Sequence, residues 1–330
     1  VPFQKLRPDR RLAWTLGLTA LAMGLATLSY AQPSPVIRVD VNLVRVIATV
    51  KNAGDELVGA LDKHDFEIYD NGKRQEIAVF ERQTEQPLSV ALMIDTSGST
   101  AKDLKQEVES VHRFLKALFT EGNRSDTAAL YSFNWEVRRH NNFGRSLPNF
   151  ERSLRSLKGE AGTCLYDAIY LASEDLENRE GRRVMVIVTD GGDTTSSKKF
   201  HDALEAAQLA DAVIYPIVVI PITNDAGRNT GGENALTLMA RGTGGRTFLP
   251  TVGPELDRAF TDIIRELRTQ YMLGFYPKDV PLTKNRFHSL QVKVKRPDLR
   301  VLSRNGYYGE AEGVSQTPGA RVTVAPNTRR

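Results

Sequence analysis

The chain of 330 residues carries 44 Lys and Arg against 40 Asp and Glu, 41% hydrophobic residues and one cysteine, with a pI near 9.1. That length allows one large or two modest cores, and this hydrophobic share excludes a mainly disordered chain. A single cysteine excludes an intrachain disulfide framework and any multi-cysteine zinc centre. Residues 1–31 contribute a net +3 and residues 311–330 a net +2, more than the whole formal excess of +4. The basic pI is therefore no sign of nucleic-acid binding.

Lys5, Arg7, Arg10 and Arg11 precede a mostly apolar run over 12–28, which closes on Ser29-Tyr30-Ala31. A basic start, an apolar stretch and a small-x-small exit have the form of a secretory signal peptide, so 1–31 is expected to be cut after Ala31. A retained anchor is the alternative, although Thr, Gly and Ala make the run a weak span. No other segment approaches a transmembrane helix in length or apolarity. A protein without a membrane span after signal cleavage is expected, secreted or held in the periplasm or cell envelope.

Gln32 to Pro35 form a short linker, after which 36–43 alternates with period two and 44–50 resumes the alternation in the opposite phase. A bulge or a change of sheet would produce that shift. The segments 66–69 and 76–80 flank Asp70-Asn71-Gly72, a hairpin signal because Asn-Gly accepts positive φ. Residues 32–86 thus read as an antiparallel β segment. From Pro87 the texture changes, because 88–94 is a continuous apolar run, the mark of a strand buried on both faces. Helices are predicted over 104–119, 165–176, 199–210, 235–240 and 255–268, and strands over 128–133, 184–188, 213–220 and 246–249. In the first helix Leu104, Val108, Val111, Leu115 and Leu118 fall on one face. This alternation predicts an α/β fold over 87–269, a doubly wound and mostly parallel sheet with helices on both faces. Strand texture returns over 271–276, 290–294 and 300–302. Residues 270–310 are expected to pair with 32–86 in one small discontinuous antiparallel β module. The polar stretch 311–330 is expected to be a disordered tail.

Ligands of a doubly wound sheet bind beyond the carboxyl ends of its strands, where the strand order switches. The first buried strand ends in Asp95-Thr96-Ser97-Gly98-Ser99-Thr100 and a later one in Thr189-Asp190-Gly191-Gly192-Asp193, while Gly162-Thr163-Cys164 precedes a helix. These segments bring two carboxylates and three hydroxyls to one rim, an oxygen-only set suited to a hard cation such as Mg2+. Positions 95, 97 and 99 can point to one ion, with Gly98 permitting a tight bend between them.

Asp95-Thr96-Ser97-Gly98-Ser99 resembles the DxSxS element of the von Willebrand factor A-type (VWA) family. Thr163 resembles its metal-site threonine and Asp190 its distal aspartate, and the likeness spans about 87–276. The flanking segments 65–73 and 304–308 resemble those of exported bacterial VWA-related proteins. The resemblance implies a metal ion-dependent adhesion site (MIDAS). In it Ser97, Ser99 and Thr163 would ligate Mg2+, or Mn2+ in its place, and Asp95 and Asp190 would act directly or through water. An open position on the ion would take a carboxylate from a partner protein. Thr100 stands where many relatives carry methionine, outside the ligand set.

Other residues near this rim have simpler readings. Asp193 reads as a turn residue and Asp167 as a first-turn helix residue, while Cys164 has no paired base. Phe133-Asn134-Trp135 and Phe143 either line a ligand groove or pack in the core. The five histidines lack metal-binding spacing and read as surface or boundary residues, and no phosphate-binding glycine motif is present. The expected function is therefore a non-catalytic, metal-dependent protein-binding module. A metal-assisted hydrolase and a structural cell-envelope component are the alternatives.

Overall fold

A computed structural model describes residues 43–82, 86–100, 102–220, 229–280 and 286–309. The expected signal segment, the 36–42 stretch and the 311–330 tail lie outside the described residues. All described residues belong to one compact unit, which begins after Val41.

The chain first forms β1 (Val44–Asn52), β2 (Phe66–Asp70), β3 (Lys73–Gln75) and β4 (Ile77–Arg82). It then builds β5 (Leu88–Asp95), α1 (Leu104–Glu121), β6 (Thr127–Phe133), β7 (Val137–Gly144), α2 (Leu147–Arg155), α3 (Leu165–Glu177) and β8 (Arg182–Thr189). α4 (Phe200–Leu209), β9 (Ala212–Val218), α5 (Thr230–Thr243) and α6 (Pro254–Thr269) follow. Last come β10 (Tyr271–Phe275), β11 (Phe287–Val294), β12 (Leu299–Ser303) and β13 (Gly306–Tyr308).

The central sheet has the order β7-β6-β5-β8-β9, parallel except for β7. All eight residues of β5 are buried, as expected of a middle strand covered on both faces. On one face Val111, Phe114 and Leu115 of α1 and Phe260, Ile263 and Leu267 of α6 close the core. On the other face Leu165 and Ile169 of α3, Ala203 and Ala207 of α4, and Leu236 and Met239 of α5 do so. Because β5 is followed in sequence by β6 on one side and flanked by β8 on the other, the order switches at its carboxyl end.

Two four-stranded antiparallel sheets, β12-β1-β10-β4 and β13-β11-β2-β3, make up the rest. Strands from before and after the α/β domain pair directly: β1 with β10 and β12, and β2 with β11. Val44, Val46, Ala48 and Val50 of β1 share an apolar core with Phe66 and Ile68 of β2 and with Leu290 and Val292 of β11. Their period-two spacing puts them on one side of each sheet.

The structure corrects several local expectations. Asn71 (φ 46°) and Gly72 (φ 79°) form the two-residue turn between β2 and β3. After β3, however, the chain crosses to the other sheet, where β4 pairs with β10. The stretch 246–249 is not a strand. Phe248 makes one parallel bridge to Ile217, with its N–H on the Pro216 carbonyl at 2.8 Å and its carbonyl accepting from Val218 N at 2.8 Å. β9 is thus a sheet edge, where Pro216 is tolerated. His288 is buried rather than peripheral: its Nδ1 lies 3.2 Å from Asp70 Oδ1, and the Tyr307 hydroxyl donates to Asp70 Oδ2 at 2.7 Å.

A buried polar cluster joins the antiparallel sheets to the α/β domain. Glu266 of α6, 1% exposed, accepts hydrogen bonds from Tyr215 Oη (3.0 Å) and Arg246 Nε (2.8 Å) and lies 3.7 Å from Lys51 Nζ of β1. Gln270 Nε2 donates to Thr49 Oγ1 of β1 (2.7 Å) and to Tyr215 Oη (2.8 Å), and Arg182 reaches Gln270 and the Leu267 carbonyl. Removing one partner of such a group strands the others without water, which is strongly destabilising. Glu266→Gln is expected to lower stability by about 3 kcal/mol in urea unfolding.

Candidate functional site

β5 and β8 run in parallel register, Ile94 beside Val188, so Asp95 and Thr189 leave the sheet at one level. From Asp95 the chain turns through 96–100 into α1, and its own polar groups fix that turn. Ser97 N donates to Asp95 Oδ1 at 2.8 Å. Thr100 Oγ1 donates to the carbonyls of Asp95 and Ser97 at 3.1 and 2.9 Å. Ser97 Oγ and Ser99 Oγ lie 3.1 Å apart. Gly98 is not in the left-handed region and a Cβ there would touch nothing, so the bend expected to need glycine does not require it.

The loop carrying Thr163 is tied to both neighbouring loops. Glu160 N donates to the Thr96 carbonyl at 2.8 Å, and Cys164 N to that of Asn134 at 2.6 Å. Gly162 has φ +88°, and a Cβ on it would lie 3.1 Å from Trp135 Cβ, so here glycine is needed. Thr163 N donates to Thr194 Oγ1 at 2.9 Å, and its carbonyl accepts from Thr194 N and Thr195 N at 2.8 and 3.2 Å. Thr189 Oγ1 donates to Asp95 Oδ2 at 2.6 Å, which joins the strand end that precedes Asp190 to the first loop. The turn after Asp190 packs on the start of α5, where the Asn229 side chain caps Gly232 N at 2.9 Å. A Cβ on Gly192 would come within 2.6 Å of Gly232 Cα.

The electrostatics of this rim are dominated by buried acids. Asp95 is fully buried, and burial pushes its carboxyl up to about 6 against the hydrogen bonds from Thr189 and Ser97, with Asp190 pushing the same way. Glu107, on the buried face of α1, is pushed up to about 8, chiefly by burial and then by Asp95, Asp190 and Asp103. For Asp167, hydrogen bonds from Ser197 and Lys198 outweigh the upward pull of burial and hold the carboxyl below its usual range. It accepts from Ser197 N (3.0 Å), Ser197 Oγ (3.0 Å) and Lys198 N (2.7 Å), so its work is to hold the following loop on α3. Asp193 likewise accepts from Tyr166 N and Ser196 N, both at 3.3 Å. The Cys164 thiol is buried and pushed up to about 11, chiefly by burial, which leaves it a poor nucleophile.

The donor set is oxygen-only. Octahedral Mg2+ with ligands at about 2.0–2.1 Å places adjacent ligands about 2.9 Å apart, and the Ser97–Ser99 hydroxyl pair at 3.1 Å fits one such edge. Both Asp95 oxygens already accept a protein hydrogen bond, which suits a carboxylate acting through water. Among the described residues, no group of three or more His, Cys, Asp and Glu side chains has metal-binding spacing. Hydroxyls would therefore carry much of any coordination.

Reading the sequence alone missed Thr189, Glu107 and the form of the aromatic rim. Thr189 acquires its role only through the β5–β8 register. Glu107 left a visible trace, the one charge on a buried face that otherwise carries apolar residues and Ser110. Of the rim residues, Phe133 and Asn134 are buried, whereas Trp135 is 59% exposed, with its Nε1 donating to Glu160 Oε2 at 2.8 Å.

Residues 90–192 match the family described as the von Willebrand factor type A domain. No curated protein matches the sequence. Among solved structures, the chain is similar to the vWF domain of the type V pili tip protein Mfa5 from Porphyromonas gingivalis, with 16% identity and a TM-score of 0.46, covering 55% of this chain and 95% of that one. It is also similar to the PilB minor pilin from Streptococcus sanguinis, with 13% identity and a TM-score of 0.45, over 56% of this chain and 62% of that one. For the conserved hypothetical protein BatB from Bacteroides thetaiotaomicron the values are 18% identity and a TM-score of 0.42, over 55% and 98%.

Two expectations follow from this geometry. A carboxyl whose folded pKa is raised above its unfolded value favours folding at acid pH, and that contribution is lost as pH rises through the folded value. The stability of metal-free wild type relative to Asp95→Asn should therefore fall by about 2 kcal/mol between pH 4 and pH 8, whatever the variant loses at both pH values by offering one acceptor in place of two; urea titrations at both pH values measure it. Gly192→Ala should cost about 2 kcal/mol in the same assay, because backbone meets backbone at that position, whereas Gly98→Ala should be nearly neutral.

Proposed function

We propose that the chain is an exported, non-catalytic protein-binding module that engages an acidic residue of its partner through a bound Mg2+, or Mn2+ in its place. Ser97, Ser99 and Thr163 would hold the ion, with Asp95 and Asp190 acting directly or through water. The observation that carries this reading is the Ser97–Ser99 hydroxyl pair, set beside a buried carboxylate where three tied loops meet. The match of 90–192 to the VWA domain family supports it.

The physical logic is one of unspent charge. Neutral hydroxyls neutralise none of the cation's charge, so an ion held largely by them attracts an anionic group at any open position. A glutamate or aspartate of a partner would supply that group. Trp135, exposed beside the Thr163 loop and anchored by Glu160, would offer an apolar contact next to it. The raised Cys164 thiol supports a binding role over nucleophilic chemistry.

The test is capture of envelope-fraction proteins on the immobilised protein. Capture in Mg2+ should be lost in EDTA and with Asp95→Ala. Capture that survives both would overturn the reading. Turnover of phosphate or peptide substrates that disappears in Asp190→Ala would favour a hydrolase instead.

A further inference from the structure

Glu107 takes no part in the site as described so far. It lies one turn into α1, 1% exposed, and its Oε2 is buried with no hydrogen-bond partner. A buried acid left in that state is costly, and its surroundings add to the cost. The charges that act on it are Asp95 at the end of β5, Asp190 beyond β8 and Asp103 at the cap of its own helix, all acidic. The helix N-terminus favours a negative side chain in its first turn, yet burial and these neighbours prevail. α1 also springs directly from the Asp95 loop. Leu104 N donates to the Thr100 carbonyl at 2.9 Å, and Thr100 Oγ1 reaches back to the Asp95 carbonyl. Glu107 is therefore an unmatched acid at the root of the helix that the hydroxyl loop feeds, on the side away from solvent.

We propose that Glu107 is an outer carboxylate of the cation site, placing negative charge within electrostatic reach of Asp95 and Asp190 that strengthens Mg2+ binding without ligating the ion. Direct ligation is not part of this role, because Asp95, Asp190 and Glu107 do not come together at ligand spacing. The proposal rests on the reading of this rim as a cation site and adds to it the residue that sets affinity. An approaching divalent ion is attracted by a negative charge in a poorly screened interior and favours the ionised form of Glu107. Loading then displaces the proton that burial keeps on the Glu107 carboxyl, so affinity depends on pH above neutrality.

Calorimetric Mg2+ titrations of wild type, Glu107→Gln, Glu107→Leu and Asp95→Ala at pH 7 and pH 9 test this. Wild-type affinity should rise about tenfold over that interval, while both Glu107 variants bind more weakly and without pH dependence. Both should melt in EDTA at or above the wild-type temperature, since a repelled acid has gone. Two replacements, one polar and one apolar, guard against a folding defect in either. If the Glu107 variants match wild type in affinity and pH profile while Asp95→Ala loses binding, the Glu107 assignment alone fails. If wild type binds no Mg2+, the assignment falls together with the cation reading.

Discussion

The carboxyl of Asp95, sealed at the end of the middle strand, is the constraint around which the rim is organised. Its position follows from the sheet, because β5 is the strand at which the order switches, so the chain beyond it lies between the ends of β6 and β8. Its oxygens are held from two sides, by Ser97 N within its own loop and by Thr189 Oγ1 across the sheet. A carboxylate so enclosed is expensive while it is charged, and Asp190 and Glu107 add like charge close by. The site is electrostatically tense, and the fold tolerates that tension in a small region bounded by tight turns. Gly162 and Gly192 are where those turns leave no room for a side chain. A divalent cation among these acids would relieve the tension, and that is the physical core of the proposed function.

The opposite end of the central sheet is settled differently. There Glu266 meets Arg246 and comes within ion-pair distance of Lys51, and Arg182, Gln270, Tyr215 and Thr49 complete a network that runs from β1 to α6. The buried acid is met by bases, and the cluster fastens the antiparallel sheets to the base of the α/β domain. Strand β10 follows α6 after the single residue Gln270, so the last helix is fixed at its end by chain connectivity as well as by this network. One end of the molecule thus sets its buried acid against bases, whereas at the other the charges acting on Asp95 and Glu107 are acidic.

The doubly wound fold was legible in the sequence because β5 and β8 are buried on both faces and leave uninterrupted apolar runs. β7 was not legible, since an edge strand reading Val-Arg-Arg-His-Asn-Asn-Phe-Gly is largely solvated and shows no apolar period. α2, at nine residues, buries only Phe150 and Leu154, too few to set a helical pattern. The stretch 246–249 has strand-like composition, yet it makes one bridge beside an edge that contains proline. His288 reads as a surface residue until β11 pairs with β2 and sets it against Asp70. At the rim, the spacing of Asp95, Ser97 and Ser99 is a local property and visible in the chain. The acceptance of the Thr189 hydrogen bond and the isolation of Glu107 are products of register and helix packing, which local spacing does not encode.

The central claim is that a divalent cation relieves the repulsion stored around Asp95. Melting temperature at pH 8, in EDTA and in millimolar Mg2+, tests it most directly, with wild type compared to the Ser97→Ala/Ser99→Ala double variant. The account predicts a Mg2+-dependent rise in wild type that is absent from the variant. A wild-type protein whose melting is indifferent to Mg2+ would contradict it.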